Sequence, residues 1–424
     1  MAKKITNILN FLILIFPICF ISGPALTNIN IFLINILFLY FLYLEKNLSL
    51  LLKYKIFFFI YLYVVCSSLL SNNIFFSLKS SLFFFRYIIL IVCITYLVEK
   101  KFLKLTKLFN ILILIILIFF IDLVFEFYNN KNILGFSNND PERLSSFFDQ
   151  ELISGSFLSK IMLLIIPIII CCDNKAKFYP FILLGMFSVF ITGERTAFYT
   201  LLIYIFLIIF FIKSEKIKVF KILSITIFLI TIFSLLNPNL SYRMSEKILV
   251  QSNVKSIIAP NKTDNKNSKT SQKRIYYISI DHEAHLLAAY KIFKLKPLFG
   301  AGPNQYRNYT CSKKYTYFND ERQNRVCTTH PHNHFVQILS ELGLVGFALL
   351  FFIIIKYLVY IFINLKKLSK NVKEYNLFLT KNFSVLIFLI PFLPNGNFFG
   401  SWGGSLLFYI IGLLLSNYNI KSFK

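Results

Sequence analysis

Charge is scarce in this chain: 15% of its 424 residues are Asp, Glu, Lys or Arg, against 57% hydrophobic residues. With a mean hydropathy of +0.66, a soluble fold of this size cannot hide so much apolar surface, so lipid must serve as its solvent. Acidic residues are the rarer sign, 19 against 45 basic, which leaves a formal net charge of +26. Histidine is rarer still, with five residues, all between His282 and His334. There is no internal repeat at a solenoid period, which excludes a stacked-repeat architecture.

What is present is a succession of apolar runs of roughly 15–22 residues, each long enough to span a bilayer with modest tilt. They lie near 8–23, 28–44, 56–70, 81–98, 108–127, 157–171, 178–193, 196–212, 222–236, 335–355, 383–395 and 402–416. The expectation is therefore an all-α polytopic membrane protein of about twelve transmembrane helices. The first run is followed by further spans, so it reads as an anchor rather than a cleaved signal peptide. Three stretches follow: a membrane bundle over 1–236, one long outer loop over 237–334, and C-terminal spans over 335–424 that complete the same membrane domain.

The positive charge could suggest a nucleic-acid surface, but its distribution argues otherwise. With the amino terminus inside, the inner loops carry Lys3, Lys4, Lys46, Lys53, Lys55, Lys100, Lys101, Lys104 and Lys107, then Lys175 to Lys221, then a dense set from Lys356 to Lys381. The short outer segments hold only Lys79, Lys131 and Arg143. That alternation is the positive-inside pattern, so both termini are expected in the cytoplasm and the long loop outside. The charge then serves topology and contact with anionic lipid, and no nucleic-acid partner is expected.

Within the outer loop, "APNKTDNKNSKTSQKR" (259–274) is polar and reads as a disordered insert. "DHEAHLLAAYKIFKLKPLFG" places Leu286, Leu287, Tyr290, Ile292, Phe293 and Leu295 at the spacing of an amphipathic helix, stopped by Pro297 and Gly300. Cys311 and Cys327 are the two cysteines of this loop, and an oxidising compartment permits a disulfide between them. Closing a loop of that size contributes about 3 kcal/mol in the chain-entropy description; the alternative is two free thiols.

The histidines crowd "CTTHPHNHFVQILSELGLVG" (327–346), just ahead of an apolar run. In an extended segment His330, His332 and His334 would share one face, as a zinc site requires, but Pro331 and a helix start near Asn333 break that geometry. Interfacial polar decoration is a second reading. The third uses the helix itself. Asn333 suits an N-cap, the free amides beyond it favour an anion, and a neutral imidazole there could accept a proton from an attacking hydroxyl. Glu341, about two turns down, would face the bundle interior, and Gly343 and Gly346 would admit a closely packed helix. In "ITGERTAFYT", Arg195 sits at the outer edge between two spans, either snorkelling to the interface or recognising phosphate with its planar fork.

These segments together are similar to the His-Asn and Glu-x-Gly signature of the O-antigen ligase and O-antigen polymerase superfamily. "KPLFGAGPNQYR", with Gly302, resembles the Pro-x-x-Gly-x-Gly turn preceding that signature, and "TGERTA" looks like the family's arginine turn. The resemblance implies a GT-C-like, metal-independent glycosyltransferase of lipopolysaccharide or surface-polysaccharide biosynthesis, with no cofactor. Its donor would be an oligosaccharide on undecaprenyl diphosphate, and its acceptor a hydroxyl of lipid A–core or of a growing glycan at the periplasmic face. His332 matches the proposed base and Arg195 the first arginine. Arg274 stands at roughly the distance of the second, with Arg307 and His285 nearby as other substrate contacts beside Asn333. Glu341, Gly343 and Gly302 would support the site. The alternative from another class is a polysaccharide flippase or other polytopic transporter, which would place its binding groups near the midplane on repeated halves.

Overall fold

The computed structural model describes residues 1–137, 140, 142–171, 178–254, 275–320 and 322–418. The insert read at 259–274, and Arg274 with it, lies outside the described residues. Among the described residues the secondary structure is helical, without a strand. The helices that position the site are α1 (Ala2–Ile21), α2 (Pro24–Leu44), α3 (Lys55–Leu69), α4 (Ile74–Glu99), α5 (Leu105–Asn129), α6 (Ser154–Cys171), α7 (Tyr179–Ile191), α8 (Arg195–Phe211) and α9 (Lys216–Leu236). They continue with α10 (Ile280–Leu295) in the outer segment, then α11 (His334–Lys367), α12 (Val372–Ile387) and α13 (Ser401–Leu415).

Among the described residues, eight helices are long and apolar enough to cross a membrane, and α7, α8 and α13 are shorter apolar helices. This is a multi-pass membrane protein. The expected runs all overlie helices, with one clear difference. A span was expected over 383–395, whereas α12 is a more polar helix that ends at Ile387. Pro391 removes a helical hydrogen bond and crowds the carbonyl four residues before it, that of Ile387 where α12 ends. Pro394 and Gly396 weaken a helix further, and residues 388–400 form a loop instead. Asparagines start three of the helices: Asn73, Asn333 and Asn371 each accept a backbone N–H of the first turn, the bond from Val336 to Asn333 being 3.1 Å.

The apolar core runs through the bundle. α4 packs between α2, α3 and α13, while α6 is enclosed by α7, α8 and α12. Phenylalanines divide between the two solvents. Phe20, Phe119, Phe148 and Phe157 stack around Trp402 inside, whereas Phe32, Phe59, Phe210 and Phe362 face outward, where lipid tails cover them.

The segment between α9 and α11 has a separate small core of Ala284, Ala288, Ala289, Ile292, Tyr306, Tyr309 and Val326. The amphipathic helix expected there is present as α10 and ends ahead of Pro297, but its buried stripe is not the expected one. The alanines and Ile292 face inward, whereas Tyr290 and Leu295 are exposed. Small side chains let α10 lie close against α11, which a leucine face would not permit. The Cys311–Cys327 disulfide is formed, with Cα atoms 4.6 Å apart, and ties the short helix Tyr306–Thr310 to the segment leading into the histidines.

α11 is broken at Gly343, whose φ is 69°. The break leaves backbone groups on both sides without helical partners, and the turn 297–302 satisfies them. Ala301 and Gly302 donate to the carbonyls of Ser340 and Glu341 at 3.0 and 2.8 Å, while Leu344 donates to the Pro297 carbonyl at 2.8 Å. Gly343 therefore does not admit a neighbouring helix, as the sequence suggested; it admits this turn. A Cβ on Gly343 would lie 2.3 Å from the Leu298 carbonyl oxygen, and one on Gly300 2.3 Å from Glu341 backbone. Gly343→Ala and Gly300→Ala should each lower the unfolding midpoint of the detergent-solubilised protein by 5 °C or more, read by size-exclusion chromatography after heating. Gly403→Ala, where a Cβ meets nothing, should leave it unchanged or slightly raised. Equal midpoints for all three variants would refute the close fit of the 297–302 turn at the Gly343 break.

Candidate active site

The break in α11 fixes Glu341, which is fully buried. Its carboxylate accepts the backbone N–H groups of Tyr306 at 2.9 Å and Asn304 at 3.0 Å, and the Gln337 side-chain amide at 3.0 Å. Gln337 in turn donates to Asn397 at 2.7 Å and accepts from the Phe398 N–H at 2.9 Å. One buried carboxylate thus locks the Gly302 turn and the 388–400 loop to α11. Gly302 itself needs its φ of 100° and its missing Cβ, because Ser71 and Ser77 press against it.

The same loop is pinned to the histidine segment. The Asn333 side chain caps α11 through Oδ1 and donates through Nδ2 to the Pro391 carbonyl at 2.6 Å, while Asn395 N–H donates to the His332 carbonyl at 2.8 Å. His332 has a φ of 54°, a left-handed conformation that turns the backbone sharply between Pro331 and the cap. Around its ring stand three more imidazoles: His330 at 4.2 Å, His285 at 5.0 Å and His282 at 6.1 Å between centroids. The histidine pair 282/285 on α10 and the pair 330/332 thus form one cluster. His334 lies apart, its ring against Phe398 at 5.5 Å.

A cavity of about 590 Å³ opens beside this cluster. His282, His330 and His332 line it together with Asn395, Gly396, the cations Arg143 and Lys160, and the carboxylates Glu151 and Glu194. Its volume and its few converging polar groups suit a small-molecule or headgroup site. Glu194 is committed to structure, since it accepts from Gly155 and Ser156 at the start of α6 at 2.7 and 3.1 Å. Arg143 donates to the Leu152 carbonyl at 2.5 Å and lies 3.8 Å from Glu194.

Arg195 begins α8 and donates to Gln251 Oε1 at 2.7 Å. Its neighbours Glu194 and Thr196 line the cavity although Arg195 itself does not, and burial first, then the Arg195 charge, disfavour a protonated His282 ring. Arg243, in a π-helical turn over Tyr242–Glu246, is buried, donating to the Gly193 carbonyl at 2.8 Å and to Glu142 at 2.6 Å; Lys247 also pairs with Glu142. Among the lining residues Arg143 and Lys160 are matched by Glu151 and Glu194, and the further cations Arg195, Arg243 and Lys247 stand nearby without lining the cavity.

Of the residues singled out in the sequence, His332, Asn333, Glu341 and Gly302 belong to one connected network. His285 is buried behind His332 against Tyr306 and does not line the cavity. Arg307 is exposed and does not line it either. Arg143, Lys160 and Arg243 were missed as site residues. Arg143 had been noticed only as an outer-segment cation, and Lys160 interrupts an apolar run, which was an available signal. Among the described residues, no group of three or more His, Cys, Asp or Glu side chains is arranged to hold a metal ion.

The fold and this site define a multi-pass membrane protein with a polar cavity lined by histidines, two cations and two carboxylates. Residues 180–351, from α7 into α11, match the family model described as O-antigen ligase. No curated protein matches the chain.

Burial pushes the pKa of His332 down from 6.5 to about 4, helped by nearby His282, and pushes His285 to about 4 and His330 to about 3. Burial penalises the charged ring, so all three stay neutral at physiological pH. The unfolded chain binds these protons near 6.5, so acid destabilises the site as pH falls from there toward 4. Imidazole NMR of selectively labelled protein should give a His332 midpoint near 4. A midpoint at or above 6.5 would contradict the burial argument.

Proposed function

We propose that the protein transfers a glycan from undecaprenyl diphosphate to an acceptor hydroxyl at the periplasmic face of the inner membrane, without a metal ion. The observation that carries this reading is His332 standing with His282 and His330 on the lining of a cavity that Arg143 and Lys160 also line. The matched O-antigen ligase domain supports glycan transfer in general.

In this mechanism His332 takes the proton of the acceptor hydroxyl as its oxygen bonds to the anomeric carbon. The bond from that carbon to the diphosphate oxygen breaks, and the lipid diphosphate leaves. Arg195, with Arg143 on the cavity wall, offsets the charge growing on the leaving group. His285 holds the His332 ring from behind. The Phe-rich spans meet the lipid, and the acceptor is lipid A–core or a growing glycan.

The topology belongs to the same proposal: about twelve crossings, both termini cytoplasmic, a membrane bundle over 1–236 and 335–424 and a periplasmic loop over 237–334. Reporter fusions near 104, 218 and 370 should report the cytoplasm, and fusions near 265 and 320 the periplasm. A cytoplasmic signal at 320 would put the cavity on the wrong side for this reaction.

General base action contributes typically 10²–10⁴-fold, so His332→Ala should lower transfer by about that factor while donor binding persists. Arg195→Ala should weaken donor binding as well, and Arg195→Lys should rescue poorly because a point charge cannot reproduce the guanidinium fork. His334→Ala should be milder, and a chelator should not change the rate of purified protein. Transfer by His332→Ala at near the unmodified rate would overturn the mechanism. Collapse of all the histidine variants together with chelator sensitivity would point to a metal instead.

A further inference from the structure

The loop 388–400 borders more than one cleft. Its residues 393–396 help line the histidine cavity, whereas Phe399 and Gly400, with Ser401, line a second cleft of about 370 Å³ against α4. That second cleft holds two cations of its own, Lys79 and Arg86, beside the polar groups of Ser80 and Asn304. The two cations are seven residues apart, so they share a helix face roughly 10 Å apart along the axis.

Arg86 occupies the middle of α4, a helix long enough to cross the membrane. Its Nη2 donates to the Tyr87 hydroxyl at 2.8 Å, and the guanidinium lies 4.8 Å from the Tyr87 ring centroid. Its Nε is buried with no acceptor. Among the described residues no carboxylate pairs with Arg86 or with Lys79. A guanidinium at that depth is expensive unless an anion meets it, and charged residues in spans characteristically mark a ligand path. The described residues therefore supply no counter-anion, and the cleft is open to one from outside the chain. The cleft is flanked by Phe76 and Phe83, which are exposed on the surface that the bilayer covers. An anion arriving from that side is attached to a lipid.

We infer that the cleft between α4 and residues 399–401 binds the phosphate headgroup of a second anionic lipid, separate from the lipid held beside Arg195. Lys79, Ser80 and Asn304 receive the headgroup from the outer side, Arg86 reaches it from below, and Phe83 lies along the tail. The Asn304 side chain is already tied into the Glu341 network through Asn397, at 3.1 Å. A lipid seated here thus touches the scaffold that also fixes His332. Under the transfer reading, on which this last point rests, it is the anchor of the acceptor.

The test is native mass spectrometry of the full-length protein in detergent, on the His332→Ala background so that no turnover intervenes. Undecaprenyl phosphate, phosphatidylglycerol, phosphatidylcholine and inorganic phosphate serve as probes. Two molecules of undecaprenyl phosphate should bind. Arg86→Gln should weaken one of them about tenfold and Lys79→Gln severalfold, with the other left to Arg195. Loss of one lipid in Arg86→Gln with no effect of Arg195→Ala would sink the donor assignment and leave the cleft standing. Retention of both lipids in the Arg86 and Lys79 variants, with unchanged unfolding midpoints, would overturn the cleft. If Arg86→Gln does not fold, Lys79→Gln alone decides, because Lys79 is exposed. Competition by phosphatidylglycerol would mark a general anionic-lipid site, and its failure a carrier-selective one; both support a lipid phosphate. Equal retention of phosphatidylcholine, or displacement by millimolar inorganic phosphate, would refute it.

Discussion

The site depends on one interruption. At Gly343 the helix α11 stops being a helix for a single residue, and the backbone groups that this frees would be ruinous in a membrane if they stayed unpaired. The 297–302 turn pairs them, and Glu341 then captures the amides just beyond the turn. Breaking a membrane helix is tolerated only where something replaces its ladder. Here the replacement also positions α10, because the turn is the direct continuation of that helix. The histidine pair on α10 is thereby held against the pair ahead of α11, and four imidazoles from two distant segments meet.

Electrostatics sharpen the arrangement. Burial among like rings keeps the imidazoles neutral, while Arg143 and Lys160 line the same cavity together with Glu151 and Glu194. A proton acceptor and an anion site normally compete, since a bound anion raises the basicity of a neighbouring histidine and favours its protonation. Here the imidazoles and the lining cations come from different segments of the chain, so the two tasks fall to different elements. Glu194 and Glu142 hold the cations in shape, one capping α6 and the other clamping Arg243 and Lys247.

Much of this was legible in the sequence, for identifiable reasons. Apolar runs between lysine-bearing turns mark helix positions because the bilayer tolerates little else, and Asn333 reads as a cap because its short amide reaches the third amide beyond it. The Cys311–Cys327 pairing followed from compartment and isolation. Other features were hidden. α12 was misplaced because an apolar count runs straight across Pro391 and Pro394, although those residues decide where the chain must leave the helix. The docked face of α10 was misread because alanines carry little weight in a hydrophobic pattern, yet close helix contact prefers them. Gly343 was read as a packing glycine because a positive φ leaves no trace in composition. Arg243 was unreadable in "NLSYRMSEK", since nothing local says that its partners are Glu142 and the Gly193 carbonyl.

The cations that disobey the topology pattern deserve a physical account of their own. The positive-inside bias makes a lysine or arginine on the outer side the exception, and the sequence offers Lys79, Lys131 and Arg143 as such exceptions in its short outer segments. Two of those three line clefts, Arg143 the histidine cavity and Lys79 the cleft of Arg86. Lys160 and Arg86, which interrupt apolar spans, line the same two clefts. Each cleft thus combines one outer-segment cation with one sunk into a helix. Neither kind is favoured by insertion; Glu194 offsets the pair in the histidine cavity, whereas no carboxylate among the described residues pairs with Lys79 or Arg86. The 388–400 loop lies between the two pairs and is fixed by Asn333, Gln337 and the His332 carbonyl. A headgroup entering either cleft therefore presses on the same rigid wall, and the imidazole of His332 stands at the point where that wall is pinned.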